Sequence, residues 1–344
     1  MLSYQQIEDY LKLNKKKWLI TGVAGFIGSN ILERLLILNQ IVYGIDNLET
    51  GNKDNLKNAI ARASKISGKT EKEISLNFRF YKIDIRNYEK LSKIFFNFDH
   101  VLHQSALGSV PRSIKYPIDF NHTNLTGFLN ILNLSKEKKV GTFVYASSSS
   151  CYGNSSEIPK KESVIGEPLN PYALTKIVNE MYASVYYKNY GISSVGLRYF
   201  NIFGRRQSMH GSYAAVIPCW INSIINKKKV YINGDGETSR DFCYIENCIQ
   251  ANILASINFN SEFKNEILNI SGGEEISLNL LFELIKKEIQ LIKNIKILKP
   301  EYREFREGDI RRSLGDITKA KEIINFSPAV NVYDGISLLV RELF

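Results

Sequence analysis

Tyr172 and Lys176 stand four residues apart in the stretch Asn170-Pro171-Tyr172-Ala173-Leu174-Thr175-Lys176. On a helix that spacing puts both side chains on one face, one turn apart. Pro171 suits the first turn of such a helix, where its missing N–H costs nothing. A lysine ammonium beside a phenol favours the phenolate, so it should lower a pKa of ~10 towards working pH. Tyr172 would then be a usable general base or acid. The spacing is common by chance, and its meaning depends on what the rest of the chain places beside it.

Upstream lies Gly22-Val23-Ala24-Gly25-Phe26-Ile27-Gly28, a G-x-x-G-x-x-G turn. An apolar strand at 17–21 runs into it and a helical pattern at 29–38 follows. The next strand, 41–46, ends on Asp46. Strand, glycine turn, helix and strand make a βαβ unit with parallel strands. Glycines there let the backbone turn tightly and approach a pyrophosphate, and the helix N-terminus supplies N–H donors. Asp46 falls about 20 residues on, where a carboxylate takes a ribose 2′-hydroxyl and repels a 2′-phosphate, which favours NAD over NADP. Between turn and tyrosine, a strand at 143–146 opens into Ser147-Ser148-Ser149-Ser150. Serines at the carboxyl end of a parallel strand lie where ligands bind, and one could share a proton with Tyr172.

These pieces need a sheet to carry them. Further strands are expected at 78–83, 100–104 and 194–200, with helices at 87–97, 121–135 and 172–187 between. The fold class is α/β: a Rossmann-type doubly wound parallel sheet with a smaller C-terminal α/β substrate lobe. Residues 1–200 form the NAD-binding domain, with a helical extension at 1–16. Residues 201–344 mainly form the substrate lobe, and the two parts interleave. Residues 51–75 read as a loop or loose helix over the adenine end. Asp84 at a strand end could bond an adenine amine or cap a helix, and His103 reads as a packed core histidine. The lobe is expected to hold helices at 214–226, 277–289, 318–324 and 333–343, strands at 230–232 and 268–271, and a charged loop at 302–312. Its Arg205, Arg240 and Arg306 are available for an anionic ligand.

Composition excludes several classes. The 344 residues carry a net charge of +10, but the lysines are scattered among acids, which argues against a nucleic-acid face. No run of 18 apolar residues exists, so no membrane span is expected. The first residues lack an apolar signal core, which makes a cytoplasmic location the default. Cys151, Cys219, Cys243 and Cys248 show no zinc spacing and are expected to be reduced; no metal is expected.

With these motifs in hand, the sequence resembles the extended short-chain dehydrogenase/reductase family over nearly its whole length. Within it the chain looks like the nucleotide-sugar 4-epimerases, closest to those acting on UDP-N-acetylglucosamine and UDP-N-acetylgalactosamine in bacterial surface polysaccharide synthesis. The stretches 106–113 and 233–242 carry that closer likeness. The resemblance implies tightly bound NAD, held by Gly22, Gly25, Phe26, Ile27, Gly28, Asp46, Asn47, Asp84, Ile85, Gln104, Ser105, Ala106, Asn124, Tyr172, Lys176 and Tyr199, with Tyr199 beside the nicotinamide. It implies that Tyr172 takes the proton of a sugar 4-hydroxyl while hydride leaves C4, and that the 4-keto sugar rotates and takes the hydride back on its other face. Lys176 would hold the ribose hydroxyls. Ser148 would assist, with Ser149 and Ser150 as competitors. Asn201, Arg240 and Arg306 match positions that hold the UDP diphosphate. Ala215, Val216 and Tyr231 match positions around the uracil, and Gly108, Ser109, Asn233, Asp309 and Ser313 match other substrate positions.

The departures matter. Galactose-type epimerases often carry a lysine at Gly108 and a bulky aromatic at Ser313; serine leaves room for a C2 N-acetyl group, a discrimination on the scale of ~1–3 kcal/mol. A 4,6-dehydratase or UDP-glucuronate decarboxylase of the same family usually has a carboxylate just after the catalytic Ser/Thr, whereas this chain has Ser149-Ser150-Cys151. A non-catalytic dinucleotide sensor would be expected to lose the Tyr–Lys pair. The resemblance also implies a homodimer, formed through helices 121–135 and 172–187 as a four-helix bundle.

Overall fold

A computed structural model describes residues 1–209, 215–259, 265–293, 295–305 and 310–344. Seven strands make one parallel sheet: β1 (Lys17–Thr21), β2 (Ile41–Asp46), β3 (Phe78–Lys82), β4 (His100–His103), β5 (Thr142–Ser148), β6 (Ser194–Tyr199) and β7 (Asn265–Ile270). Their spatial order is β3-β2-β1-β4-β5-β6-β7. The central strands are apolar along their length because helices cover both faces; β4, β5 and β6 are buried almost throughout. The order reverses between β1 and β4, and a ligand crevice is expected at the carboxyl ends there.

Three expectations change. The seventh strand comes from beyond residue 200: β7 pairs with β6 from Asn265 opposite Ser194 to Ile270 opposite Tyr199. Residues 51–75 are two regular helices, α3 (Lys53–Ser67) and Glu71–Ser75, each with a side-chain N-cap, Asn52 and Thr70. Leu56, Ala59 and Ala63 form the buried stripe of α3, a pattern the many lysines obscure. The expected loop at 302–312 begins with a strand, Glu301–Arg303, which runs parallel to Tyr231–Asn233.

The N-terminal extension is docked. Ser3 and Gln6 form a capping box on α1 (Tyr4–Leu13), which buries Ile7 and Leu11 completely. Asn258 ties it down by accepting from Leu2 N (3.0 Å) and donating to Leu2 O (2.8 Å). Helix α2 (Phe26–Ile37) starts inside the glycine turn, three residues earlier than its apolar periodicity suggests. The helix at 121–135 has a π-helical turn at His122–Thr126 before α4 (Gly127–Glu137). Helix α5 (Pro171–Tyr190) ends at Gly191 in the left-handed region, and α6 (Ile245–Asn258) is buried between sheet and lobe. Among the described residues, no helix is long and apolar enough to cross a membrane.

Candidate active site

A cavity of about 740 Å³ opens at the carboxyl ends of β1, β2 and β4. The glycine turn forms its floor. Gly22 has φ +69°, and a Cβ there would lie 2.8 Å from Ser105 N; one on Gly28 would lie 2.2 Å from Gly22 O. Only glycine fits this crossing, which lets the first turn of α2 aim its N–H groups into the cleft. Asp46 stands at the cleft wall. Its Oδ2 accepts from Ala24 N (3.0 Å) and Oδ1 from Leu48 N (2.8 Å). Burial raises its pKa, and those two donors oppose the rise.

Of the sequence-derived cofactor positions, Gly22, Gly25, Phe26, Ile27, Gly28, Asp46, Asn47, Ile85, Gln104, Ser105 and Ala106 line this cavity, and so does Gly108. Three do not. Asp84 is engaged by Arg86, through Nη2 at 2.6 Å and Nε at 2.9 Å, and by Asn47 (2.8 Å), which holds its carboxyl down at about 2. It caps no helix either; Asn87 does that. Asn124 spends its amide on Leu107 N (2.8 Å), Leu107 O (3.1 Å) and Thr175 Oγ1 (3.1 Å), so it is a strut between the cleft rim and α5. The Tyr199 hydroxyl is buried against Gln104 (3.1 Å) and Asn252. It steadies Gln104 and does not itself line the cleft.

The Asn124 strut sets the first turns of α5 beside that rim. Asn170 caps the helix by accepting from Ala173 N (2.9 Å), and Pro171 occupies the first turn. Tyr172 is half-buried and edge-on to Phe120, with its hydroxyl beside Ser148. The serine run is thereby sorted. Ser148 faces Tyr172 and also accepts from Ser150 N (3.1 Å), while Ser149 and Ser150 enter a 3₁₀ turn. Buried Lys176 donates to Ala146 O (2.7 Å) and lies 5.8 Å from the centre of the Tyr172 ring. His103 is a packed core histidine: it is buried, shares a 2.8 Å hydrogen bond with Thr21, and is pushed down to about 3 by burial and by Lys176.

The expected acidic phenol is not what this state shows. Burial pushes Tyr172 up to about 12, with the Ser148 hydrogen bond pulling the other way, and it pushes Lys176 down to about 8. The ammonium sits over the ring and bonds a carbonyl, so desolvation outweighs its pull on the hydroxyl.

Glu180, one turn beyond Lys176, went unnoticed in the sequence. It accepts from Ser147 Oγ (2.5 Å) and takes both Arg198 Nε (2.9 Å) and Nη2 (2.7 Å). This buried group locks α5 to the ends of β5 and β6 and so fixes Ser148 relative to Tyr172. Its i, i+4 spacing from Lys176 was the available signal.

A second cavity, about 390 Å³, lies in the lobe. Asn201, Val216, Tyr231, Asn233 and Arg240 line it, joined by Trp220, Lys229, Phe242 and Arg303. The Arg303 guanidinium stacks 3.3 Å from the centre of the Tyr231 ring. It was missed because only the pairing of Glu301–Arg303 with Tyr231–Asn233 brings it there. Arg205 is not available to a ligand: it is buried against Glu33 (3.0 Å) and Glu246 (2.6 Å). Ala215 is the N-cap residue of the helix Val216–Ile225 and lies outside the cavity lining. Ser109 caps the helix Val110–Lys115. Ser313 lines neither cavity; its carbonyl accepts from Asp241 N (2.8 Å). Arg306 and Asp309 lie outside the described residues. Among the described residues, no group of three or more metal-ligating side chains occurs.

Residues 18–271 match the NAD dependent epimerase/dehydratase family. The chain belongs to that family. The UDP-glucuronate 4-epimerase of Thermodesulfobacterium geofontis is 34% identical, over 94% of this chain and 95% of that protein. Among solved structures, UDP-glucose 4-epimerase from Thermotoga maritima, with UDP-glucose, superimposes with a TM-score of 0.83 at 32% identity, covering 95% and 98% of the two chains. UDP-N-acetylglucosamine 4-epimerase from Methanobrevibacter ruminantium, in complex with UDP-N-acetylmuramic acid, gives 0.84 at 34% identity, covering 96% and 98%. These relatives differ in sugar and share 4-epimerisation. The cofactor is NAD, and the glycine cradle and Asp46 fit its diphosphate and a free ribose 2′-hydroxyl.

Proposed function

We propose that this chain is a 4-epimerase interconverting UDP-N-acetylglucosamine and UDP-N-acetylgalactosamine. The observation that carries the reaction type is the Ser148–Tyr172–Lys176 group at the rim of a dinucleotide cleft, with no carboxylate at 149–151. A dehydratase needs a second acid and base at C5 and C6; this wall offers Ser149, Ser150 and buried Cys151, whose thiol burial raises to about 12. Two features support the substrate. The lobe cavity combines aromatic and apolar walls for a base with Arg240 and Arg303 for a diphosphate. The Methanobrevibacter relative accommodates an N-acetylated UDP-sugar.

Bound NAD would accept the hydride from C4 and give it back to the other face of the turned ketone, and would add a positive ring charge. Ser148 bridges the sugar 4-hydroxyl and Tyr172, and Tyr172 takes the proton as a phenolate. The resting phenol, at about 12, is protonated at neutral pH, so added positive charge near Lys176 is what makes it a base. Lys176, fixed by Ala146 O, would hold the cofactor ribose. The 4-keto sugar turns about its diphosphate link while the nucleotide stays in the lobe cavity, and Tyr172 then returns the proton.

A homodimer belongs to this reading. Leu174, Met181 and Val185 form an exposed apolar stripe on α5, and Ile114 and Ile118 add to it. A second copy of the same face would bury it.

The test is direct. Purified protein is incubated with UDP-N-acetylglucosamine, and separately with UDP-glucose, without added NAD, and followed by proton NMR. Formation of the N-acetylgalactosamine epimer is expected. A 4-keto-6-deoxy product, or turnover of UDP-glucose alone, overturns the proposal.

A further inference from the structure

The chain leaving β6 passes along the lobe cavity at Asn201 and then, at Arg206, Gln207, Ser208 and Met209, along the dinucleotide cleft. This segment is bolted to α2. Arg206 Nη1 donates to Glu33 Oε2 (2.6 Å), and Nη2 donates to Asn30 Oδ1 (2.7 Å) and Ser29 O (3.3 Å). Asn30 in turn donates to Arg205 O (3.0 Å) and Phe26 O (2.8 Å). Glu33 is almost fully buried and also takes Arg205 and Arg62. Arg206 reaches this fork at φ +64°, a left-handed conformation that a non-glycine residue keeps only when its surroundings enforce it.

These bonds fall on the first turns of the helix whose N-terminus forms the diphosphate seat. The other end of the segment is also pinned, through Asn201 Nδ2 to Asp241 O (2.9 Å). An epimerase regenerates its cofactor in each turnover, so nothing requires the dinucleotide to leave. We infer that Arg206 is a cofactor-retention residue: it clasps segment 206–209 over the cleft beside the diphosphate seat, and NAD departs only when its fork on α2 opens. This rests on the cleft being the NAD site and is independent of which sugar is turned over.

Arg62 provides the control. It pairs with the same Glu33 and with Glu342, but it does not line the cleft. Holoenzyme is loaded with radiolabelled NAD, desalted and chased with unlabelled NAD, and the label still bound is counted over time. Loss of a charge-assisted fork should speed release by ~10-fold or more in Arg206→Ala. Arg206→Lys, which keeps a charge on Glu33 but not the fork, should release at an intermediate rate, and it is the variant to read if Arg206→Ala does not fold. Arg62→Ala should stay within about two-fold of wild type, as expected for a half-exposed ion pair. Wild-type release from Arg206→Ala, or from Arg206→Lys where that is the variant read, overturns the inference. So does equal acceleration by Arg62→Ala, which would mean that the cluster acts through general stability. A wild-type protein that takes up no label at all refutes the NAD cleft itself, and is distinguished by that from failure of the clasp.

Discussion

The two cavities are built from different material. The floor of the dinucleotide cleft is largely backbone: a turn that only glycine can make and the first N–H groups of α2, with the Asp46 carboxylate at the end of β2. That floor lies within a single βαβ unit, residues 104–108 and 206–209 add walls, and its shape follows from the fold. The lobe cavity is made of side chains from segments scattered between Asn201 and Arg303, brought together by short strand pairings. A backbone seat binds what every relative binds, whereas a side-chain seat can change with each substitution. The same family can therefore share NAD and diverge in sugar. In the proposed reaction Tyr172 and Lys176 of α5 act only when both seats are filled.

The largest effect should come from breaking the chemistry while leaving both seats intact. Tyr172→Phe removes the proton carrier but keeps the ring against Phe120. Turnover should fall by ~10²–10⁴-fold or more, the range for a lost general acid–base group. NAD content and UDP affinity, by absorbance and calorimetry, should stay near wild type. Near-normal turnover would show that Tyr172 is not the proton carrier.

Lys176 should show what this arrangement costs the fold. Its pKa falls from 10.5 to about 8 on burial, so the charged form is disfavoured in the folded chain. The unfolded chain then holds more protons between pH 8 and 10.5, and stability rises with pH across that window. Below pH 8 the full penalty applies, about 3 kcal/mol from the size of the shift. In cofactor-free protein, Lys176→Met should therefore raise the melting temperature at pH 7 and lose most of that advantage by pH 10, while abolishing turnover. A stability difference that does not change with pH would refute the buried charge as its source.

The same contrast explains what could be read without coordinates. The glycine turn and Asp46 were legible because their constraint is local: positive φ at Gly22 and a Cβ-free crossing at Gly28 leave one residue type. The Tyr172–Lys176 face was legible for the same reason. The direction of the Tyr172 pKa was not, because sequence shows its neighbours and hides its burial. Arg205 looked like an anion ligand until Glu33 and Glu246, distant in sequence, were found against it. Asn124 and Tyr199 sit beside the site but bond its supports, Leu107 and Thr175 for the one and Gln104 and Asn252 for the other, which spacing cannot reveal. The helix α3 was hidden by its lysines, and β7 by a gap of over sixty residues between paired strands.

The smallest expected effect tests the side-chain seat. Arg303 stacks on Tyr231 and faces the same cavity as Arg240. A cation over an aromatic face contributes ~0.5–2 kcal/mol, and a guanidinium near a diphosphate adds a contact of similar size. Arg303→Ala should therefore weaken UDP binding by ~10-fold. Because the nucleotide stays bound while the 4-keto sugar turns, this contact is the same in ground and transition states. Its loss should raise KM and leave kcat almost unchanged. NAD content should not move, since no atom of Arg303 reaches the backbone seat. A drop in kcat at constant KM would place Arg303 in the chemistry, and a loss of NAD would mean that the two seats are not separable.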